Sequence, residues 1–339
     1  MRHALAIFCI VGLSLGAVNA LDPPLTRYEF AEPHMGTLVR ITLFAADEAT
    51  AKKAAKAAFD RIEELNRSMS DYIDDSELMR LSKSSGGLPV AVSDDLFTVL
   101  EMSQEVARLS GGAFDVTVGP VVQLWRRSRR TRELPQPEAL KKALAVVGYE
   151  KMRLDRSRRT VQLLVAGMRL DVGGIAKGYA ADMMLAVLRR FGIPRAMIAV
   201  GGDIAVGDPP PERNGWKIGV DTPAGKNGPT NFVLLLRNQA VSTAGDANQY
   251  VNIDGKRYSH IVDPHTGMGL IGKRSVTIVA RTGLVTDGFD TAICVMGRQR
   301  GMKLVEDRPE LAGLFVEEKA EGELEITQSK RFKEVAVSH

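Results

Sequence analysis

Between residues 47 and 67 the apolar positions Ala55, Ala58, Phe59, Ile62 and Leu65, continued by Met69, fall on one side of a 3.6-residue period, which predicts an amphipathic helix. Met69-Ser70-Asp71-Tyr72 ends it, and Asp75-Ser76-Glu77-Leu78 opens another helical turn. A further helix starts from a Ser93 or Asp94 cap, turns Leu96, Val99, Leu100 and Val106 inward, and stops at Gly111-Gly112. The same spacing predicts a short helix from Pro135-Gln136-Pro137 through Val147, with Leu140, Leu144 and Val147 inward. It predicts another carrying Tyr179, Ala180, Met183, Met184, Val187, Leu188 and Phe191 up to a stop at Gly192. A helix begins at Thr286-Asp287 and runs to about Met296, and a last helix and strand fill 299–316. Strand signals are the alternating run 37–44, a hairpin of 151–154 with 160–165, and short apolar runs at 168–172, 196–200, 216–220, 232–236, 239–243, 249–253 and 275–280. Strands neither alternate strictly with helices nor segregate from them, and no repeat of fixed period occurs, so the pattern predicts an α+β fold with mostly antiparallel sheet.

The join between 168–172 and the following helix, Asp171-Val172-Gly173-Gly174-Ile175-Ala176-Lys177, is a glycine turn with a lysine. Such a turn frees N–H groups at the helix start and lets a ligand approach without Cβ atoms in the way, and phosphate is the expected guest. It matches neither GxGxxG nor GxxxxGK[ST], so the dinucleotide and P-loop motif readings lack support.

A length of 339 residues allows one large or two modest domains, and 45% hydrophobic with 25% charged residues is ordinary globular composition. The net charge of +4 owes much to Arg126-Arg127-Ser128-Arg129-Arg130-Thr131-Arg132, read as a solvated loop. No interleaved aromatics or recognition fold accompany the run, which argues against nucleic-acid binding. At the start, Arg2 and His3 precede an apolar run over 4–17 and the small-x-small site Val18-Asn19-Ala20, which predicts a secretory signal peptide at 1–20, too short for a stable membrane anchor. Cys9 lies in mid-run, against lipoprotein processing. The expectation is a soluble, periplasmic protein with a lead-in at 21–33, a main domain over 34–316 and a charged tail at 317–339 that frays. Cys294 is then the single cysteine of the mature chain, a buried inert thiol.

Three stretches could carry chemistry. Gly111–Pro120 is bracketed by glycines, and Phe114 beside Asp115 suits either a ring with polar edges or a packing corner. Asp287 and Thr291 are i and i+4 on one helix face, hard oxygen donors suited to Mg²⁺ shared with a phosphate, or else a helix cap with a solvent-facing threonine. Within Ser259–Gly267, His260 or His265 could accept a proton from an attacking hydroxyl, with Asp263 as a possible orienting carboxylate. No His/Cys cluster has zinc spacing, and no G-x-S-x-G elbow is present.

Taken in order, Met35-Gly36-Thr37, Met69-Ser70-Asp71-Tyr72, Gly112–Pro120, Asp171–Asp182, Gly201-Gly202-Asp203, Ser259–Gly267 and Asp287–Thr291 resemble the ApbE family of FAD:protein FMN transferases, over roughly residues 33 to 316. The resemblance implies an ApbE-like, T-fold-related architecture and a Mg²⁺-dependent cleavage of FAD, with FMN passed to a Ser or Thr hydroxyl of an acceptor protein and AMP released. It implies FAD contacts from Met35, Tyr72, Ala113, Phe114, Asp115, Asp171, Lys177, Asp182 and Ile261. It further implies metal ligation by Asp287, Thr291 and a backbone carbonyl at Gly174 or Ala176, with His260 as general base. The implied acceptor is an extracytoplasmic electron-transfer or respiratory-complex subunit with an Asp-Gly-x-Ser/Thr-Gly-Ala-Thr signature. Alternatives from the same residues are an FAD pyrophosphatase giving FMN and AMP, or an exported FAD-binding module without turnover. The sequence departs from the family pattern at Gly288 and Phe289, where Ala-Leu is commoner, and at Asp71, where a small Ser or Thr is usual.

Overall fold

In a computed structural model the described residues are 24–220, 222–223, 232–245, 249–319 and 322–337, so the signal-peptide reading lies outside them. The strands are β1 (Thr26–His34), β2 (Thr37–Ala45), β3 (Val90–Ala91), β4 (Met152–Asp155), β5 (Thr160–Leu163), β6 (Ala196–Val200), β7 (Asp203–Val206), β8 (Trp216–Val220) and β9 (Phe232–Leu236). They continue as β10 (Gln239–Gly245), β11 (Tyr250–Ile253), β12 (Lys256–Val262), β13 (Gly269–Ile271), β14 (Arg274–Ala280), β15 (Ala312–Glu318), β16 (Leu324–Gln328) and β17 (Ala336–Val337). The helices are α1 (Glu48–Met69), α2 (Glu77–Lys83), α3 (Asp94–Ser110), α4 (Gly119–Thr131), α5 (Pro137–Ala145), α6 (Ala176–Arg190), α7 (Gly283–Met296), α8 (Arg298–Asp307) and α9 (Lys330–Val335).

An eight-stranded sheet in the order β1-β2-β6-β7-β10-β14-β15-β16 forms the centre, and every strand pair in it is antiparallel. This is an α+β fold, as the mixed strand and helix pattern predicts. Alternation along the strands gives the sheet two apolar faces. Val276, Ile278 and Phe315 join a large core with the helices, while Val279, Leu314 and Val316 join a second core with Trp216, Leu234 and Phe332 under the β17-β9-β8 sheet.

Four local readings change. The stretch anticipated as a lead-in is β1 from Thr26, closed onto β2 by a two-residue loop in which Met35 and Gly36 both have positive φ (48° and 71°). That is the backbone a tight hairpin loop requires, and it is unusual for a methionine. The tail expected to fray instead pairs β16 with β15 and buries Phe332 completely. The arginine run is not a loop but the second half of α4, whose inner face of Val121, Trp125 and Ser128 is buried on the β11-β12-β13 hairpin sheet, with Trp125 Nε1 donating to the Gly267 carbonyl at 2.7 Å. Residues 168–172 form no named strand; they make a parallel bridge, Val118 to Arg169, and bonds from Asp171 N–H to the Val116 carbonyl and from Leu170 N–H to the Ser82 hydroxyl.

The crossing of α6 and α7 positions the site. A Cβ on Gly178 would overlap the Gly283 carbonyl, and one on Gly283 would overlap that of Gly178, so the two helix starts meet backbone to backbone. This contact lets the Gly178 N–H donate to Asp287 Oδ2 at 2.9 Å.

Candidate active site

A cavity of about 1130 Å³ opens among the loop after α1, the 113–115 segment, the glycine turn before α6, the β12 hairpin and α7. Met35 reaches it from the strained β1–β2 loop, and Tyr72 from the loop after α1. Ala113, Phe114 and Asp115, then Asp171, Gly174 and Lys177, line another part. His260 and Ile261 come from β12, and Asp287 and Thr291 from α7. The structure thus brings together every predicted site residue but Asp182.

The acidic part of the wall is built by α7 and the β6–β7 turn. Carboxylate oxygens of Asp203, Asp287 and Asp290 lie within 4.8 Å of one another, all buried. Asp287, Asp290 and Thr291 share a helix face as i, i+3 and i+4. Thr291 Oγ1 donates to Asp290 Oδ1 at 3.2 Å, and a Cβ on Gly174 would stand 3.2 Å from that hydroxyl, so the glycine turn packs directly onto it. The Lys177 ammonium pairs with Asp203. Burial pulls the Lys177 pKa down, but the carboxylates of Asp287, Asp203 and Asp290 outweigh it and hold the amine charged. Burial, then repulsion from Asp203, pushes the Asp287 carboxyl up to about 7, and burial with repulsion from Asp287 and Asp203 pushes Asp290 well above the usual carboxylate range. Among the described residues, one ammonium faces three buried carboxylates. Such an excess is compensated by protons or by a bound cation, and hard oxygen donors suit Mg²⁺. Asp203 and Asp290 were not among the predicted ligands. The i+3 position within Asp287–Thr291 could have signalled Asp290, whereas Asp203 is brought in by the β6–β7 turn.

On β12, His260 is exposed, and its Nδ1 lies 3.1 Å from the Gln249 carbonyl. A carbonyl can only accept, so Nδ1 carries the proton and Nε2 is the basic nitrogen of the neutral ring. Asp263 does not orient it. Its carboxylate accepts the His265 N–H (2.9 Å) and the Thr266 hydroxyl (3.2 Å) and so holds the following turn. His265 is a brace instead, with Nε2 on the Gly111 carbonyl at 3.1 Å. Phe114 and Asp115 fit the packing-corner reading of their loop, and both also line the cavity. Phe114 is part of the large core and also faces the cavity, while buried Asp115 takes the Thr117 N–H and hydroxyl at 2.8 and 2.7 Å. Burial raises the Asp115 carboxyl despite those bonds.

Asp182, expected as an FAD contact, does not line the cavity. Its two carboxylate oxygens accept the N–H groups of Gly283 (2.8 Å) and Leu284 (2.9 Å) and cap the start of α7. The cap explains why α7 begins at Gly283 rather than at Thr286, placing Asp287 inside the helix. Burial lifts the carboxyl to about 6, held in check by the two N–H donors. Asp182→Ala should therefore cost about 1–2 kcal/mol in urea unfolding and leave the KM for FAD within about twofold. A raised KM at unchanged stability would restore it to the ligand wall.

Fold and site define an α+β domain holding a nucleotide-sized cleft with a cation-seeking acidic cluster in its wall. The ApbE family model matches residues 35–315, and the chain belongs to that family. Relatives named FAD:protein FMN transferase include those of Vibrio cholerae, 31% identical over 297 residues (86% of this chain, 88% of that one), and Treponema pallidum, 32% identical over 325 residues (91% and 88%). Among solved structures, the flavin transferase ApbE of Vibrio cholerae superposes with a TM-score of 0.83 at 30% identity, covering 92% of this chain and 100% of that one. The apo flavinyl transferase ApbE of Pseudomonas stutzeri gives 0.82 at 26%, covering 92% and 97%. Among the described residues no helix is long and apolar enough to cross a membrane.

Proposed function

We propose that this protein transfers FMN from FAD to a serine or threonine hydroxyl of an acceptor protein and releases AMP. The observation that carries the reading is the trio Asp203, Asp287 and Asp290 opposed, among the described residues, by Lys177, in one cavity with a histidine at its exposed edge. Asp287, Thr291 and the carbonyl of Gly174 would hold Mg²⁺, with Asp290 on the same helix face completing the acidic side. When bound, Mg²⁺ supplies neutralisation of pyrophosphate charge. Met35, Tyr72, Ala113, Phe114, Asp115, Asp171 and Ile261 would wall the dinucleotide, and the Lys177 ammonium would stabilise charge gathering on the phosphates.

His260 Nε2 takes the proton of the acceptor hydroxyl. That oxygen bonds to the flavin-side phosphorus, the phosphoanhydride bond breaks, and AMP departs with the bridging oxygen and its electron pair. In the same reading residues 1–20 export the protein to the periplasm, where a unit spanning 34–316 acts on an acceptor domain with the Asp-Gly-x-Ser/Thr-Gly-Ala-Thr signature.

The test is incubation of the protein with FAD, Mg²⁺ and a domain bearing that signature, read by mass. Covalent gain of FMN with AMP release supports transfer, and quantitative free FMN with an unmodified acceptor replaces it by hydrolysis. A second expectation follows from Asp287. With a folded-state pKa raised to about 7, it holds a proton below that pH, and Mg²⁺ must displace it. The rise in melting temperature produced by Mg²⁺ should therefore be small at about pH 5 and grow through about pH 8. A pH-independent rise would remove Asp287 from the ligand set.

A further inference from the structure

Apart from the acidic cluster, the cavity wall carries a second charged group. Arg126, on α4, donates from Nη1 to Asp71 Oδ2 at 2.5 Å and from Nη2 to Asp171 Oδ2 at 3.1 Å. Its guanidinium carbon lies 4.1 Å from the centroid of the Tyr72 ring. The three charged side chains are 8–16% exposed, whereas Tyr72 is 74% exposed. One planar group therefore ties together the loop after α1, the helix α4 and the residue that opens the glycine turn. Arg169 pins the same loop by donating to the Asp71 carbonyl at 2.9 Å.

Two consequences follow from the charges and the geometry. A guanidinium over one face of a tyrosine braces that ring and leaves the opposite face available for a flat ligand ring. The carboxylates of Asp71 and Asp171 are balanced by the guanidiniums of Arg126 and Arg169, and without Arg126 the group would carry a net negative charge beside a dianionic pyrophosphate.

We propose that Arg126 is a positioning residue for FAD, bracing the Tyr72 ring as a wall for one of its flat rings and cancelling the charge that Asp71 adds to the cavity. This rests on the flavin-transfer reading and adds to it a residue from outside the glycine turn, the β12 hairpin and α7. It gives the arginine run a function for its first member, and it accounts for how an acidic residue is accommodated at position 71, where the family pattern has a small hydroxyl residue.

The experiment measures FAD dissociation by flavin fluorescence, together with transfer kinetics, in wild type, Arg126→Gln and the double variant Asp71→Ser/Arg126→Gln. Arg126→Gln should raise both Kd and KM for FAD about tenfold and leave kcat within about threefold. The double variant, lacking the uncancelled carboxylate, should regain at least about threefold of that loss. An unchanged Kd in Arg126→Gln, a fall confined to kcat, or a double variant no better than the single overturns the proposal. Should Arg126→Gln fail to fold, Arg126→Lys keeps the charge without the planar guanidinium over Tyr72 or the double pairing. A raised FAD Kd in that variant supports the bracing role, and a wild-type Kd overturns it. Wild type that neither binds FAD nor transfers FMN overturns the functional reading as well, whereas wild type that does both beside an unaffected Arg126→Gln overturns the bracing role alone.

Discussion

Asp287→Asn should reduce Mg²⁺-dependent FMN transfer by on the order of 10³-fold and, in the absence of metal at about pH 8, make the protein harder to unfold rather than easier. The first effect follows from removing the anionic ligand on which the proposed metal site depends. The second follows from the charge imbalance that makes the site attract a cation. Asparagine keeps an oxygen for the Gly178 N–H, so the 2.9 Å bond that ties α6 to α7 survives. What disappears is one of three mutually repelling buried carboxylates. Burial and the Asp203 charge raise the folded-state pKa of Asp287 to about 7, so its ionisation costs the fold stability as pH rises from the unfolded value towards 7, and the full cost is present above it. Asparagine removes the full cost at pH 8 and a smaller part of it at about pH 5, where the folded group holds its proton but the unfolded one is ionised. The gain should be on the order of 1–2 kcal/mol, a few degrees in melting temperature. Calorimetry in EDTA at both pH values checks it. Unaltered transfer removes Asp287 from the metal site, and a lowered melting temperature at pH 8 would mean that attraction to Lys177 exceeds the repulsion.

How far the molecule could be read without coordinates depended on whether an element's partner was local. The helices α1, α3 and α6 were legible because each carries its own apolar stripe, and the strand runs at 196–200, 216–220 and 232–236 match β6, β8 and β9 because short buried runs leave few alternatives. The second half of α4 was not legible. Its apolar contribution is Trp125 alone, and arginines, two of them half-buried, fill most of the other positions beside Ser128 and Thr131, so the sequence looks solvated. The segment after Glu317 was hidden for a related reason. β16 has only half-buried and exposed positions, and its stability comes from hydrogen bonding to β15, which no periodicity reveals.

The candidate site shows the same division. The glycine turn, the His260 hairpin and the Asp287–Thr291 face were visible as motifs, and the fold places them around one cavity. Asp182 looked like part of the turn's ligand set because it follows Lys177 closely. Its actual partners are the N–H groups of Gly283 and Leu284, about a hundred residues on, and that distance in sequence separates a cap from a ligand. Asp203 and Arg126 reach the cavity by long-range packing of a strand turn and a helix, and their roles emerge only when their counter-charges, Lys177 and the Asp71–Asp171 pair, are seen beside them.

His260→Ala should lower the rate of transfer to the acceptor hydroxyl by about 10²–10⁴-fold while FAD affinity and melting temperature stay close to wild type. The stability expectation rests on position. His260 sits exposed on β12, its backbone N–H bond to the Gln249 carbonyl survives the substitution, and its ring bond to the same carbonyl lies at an exposed position. The rate expectation rests on the tautomer. With Nδ1–H committed to a carbonyl, Nε2 is the atom suited to take the hydroxyl proton, and alanine leaves no base there. Asp263 cannot substitute, because its carboxylate is held by the His265 N–H and the Thr266 hydroxyl in the next turn. His265 is tied to the Gly111 carbonyl. Single-turnover transfer with bound FAD isolates the chemical step, and added imidazole should restore part of the rate to the alanine variant. Undiminished transfer would exclude His260 as the base. A loss of FAD binding equal to the loss of rate would make it a wall of the flavin pocket instead, and the proton would then have to leave by way of the acidic cluster on α7.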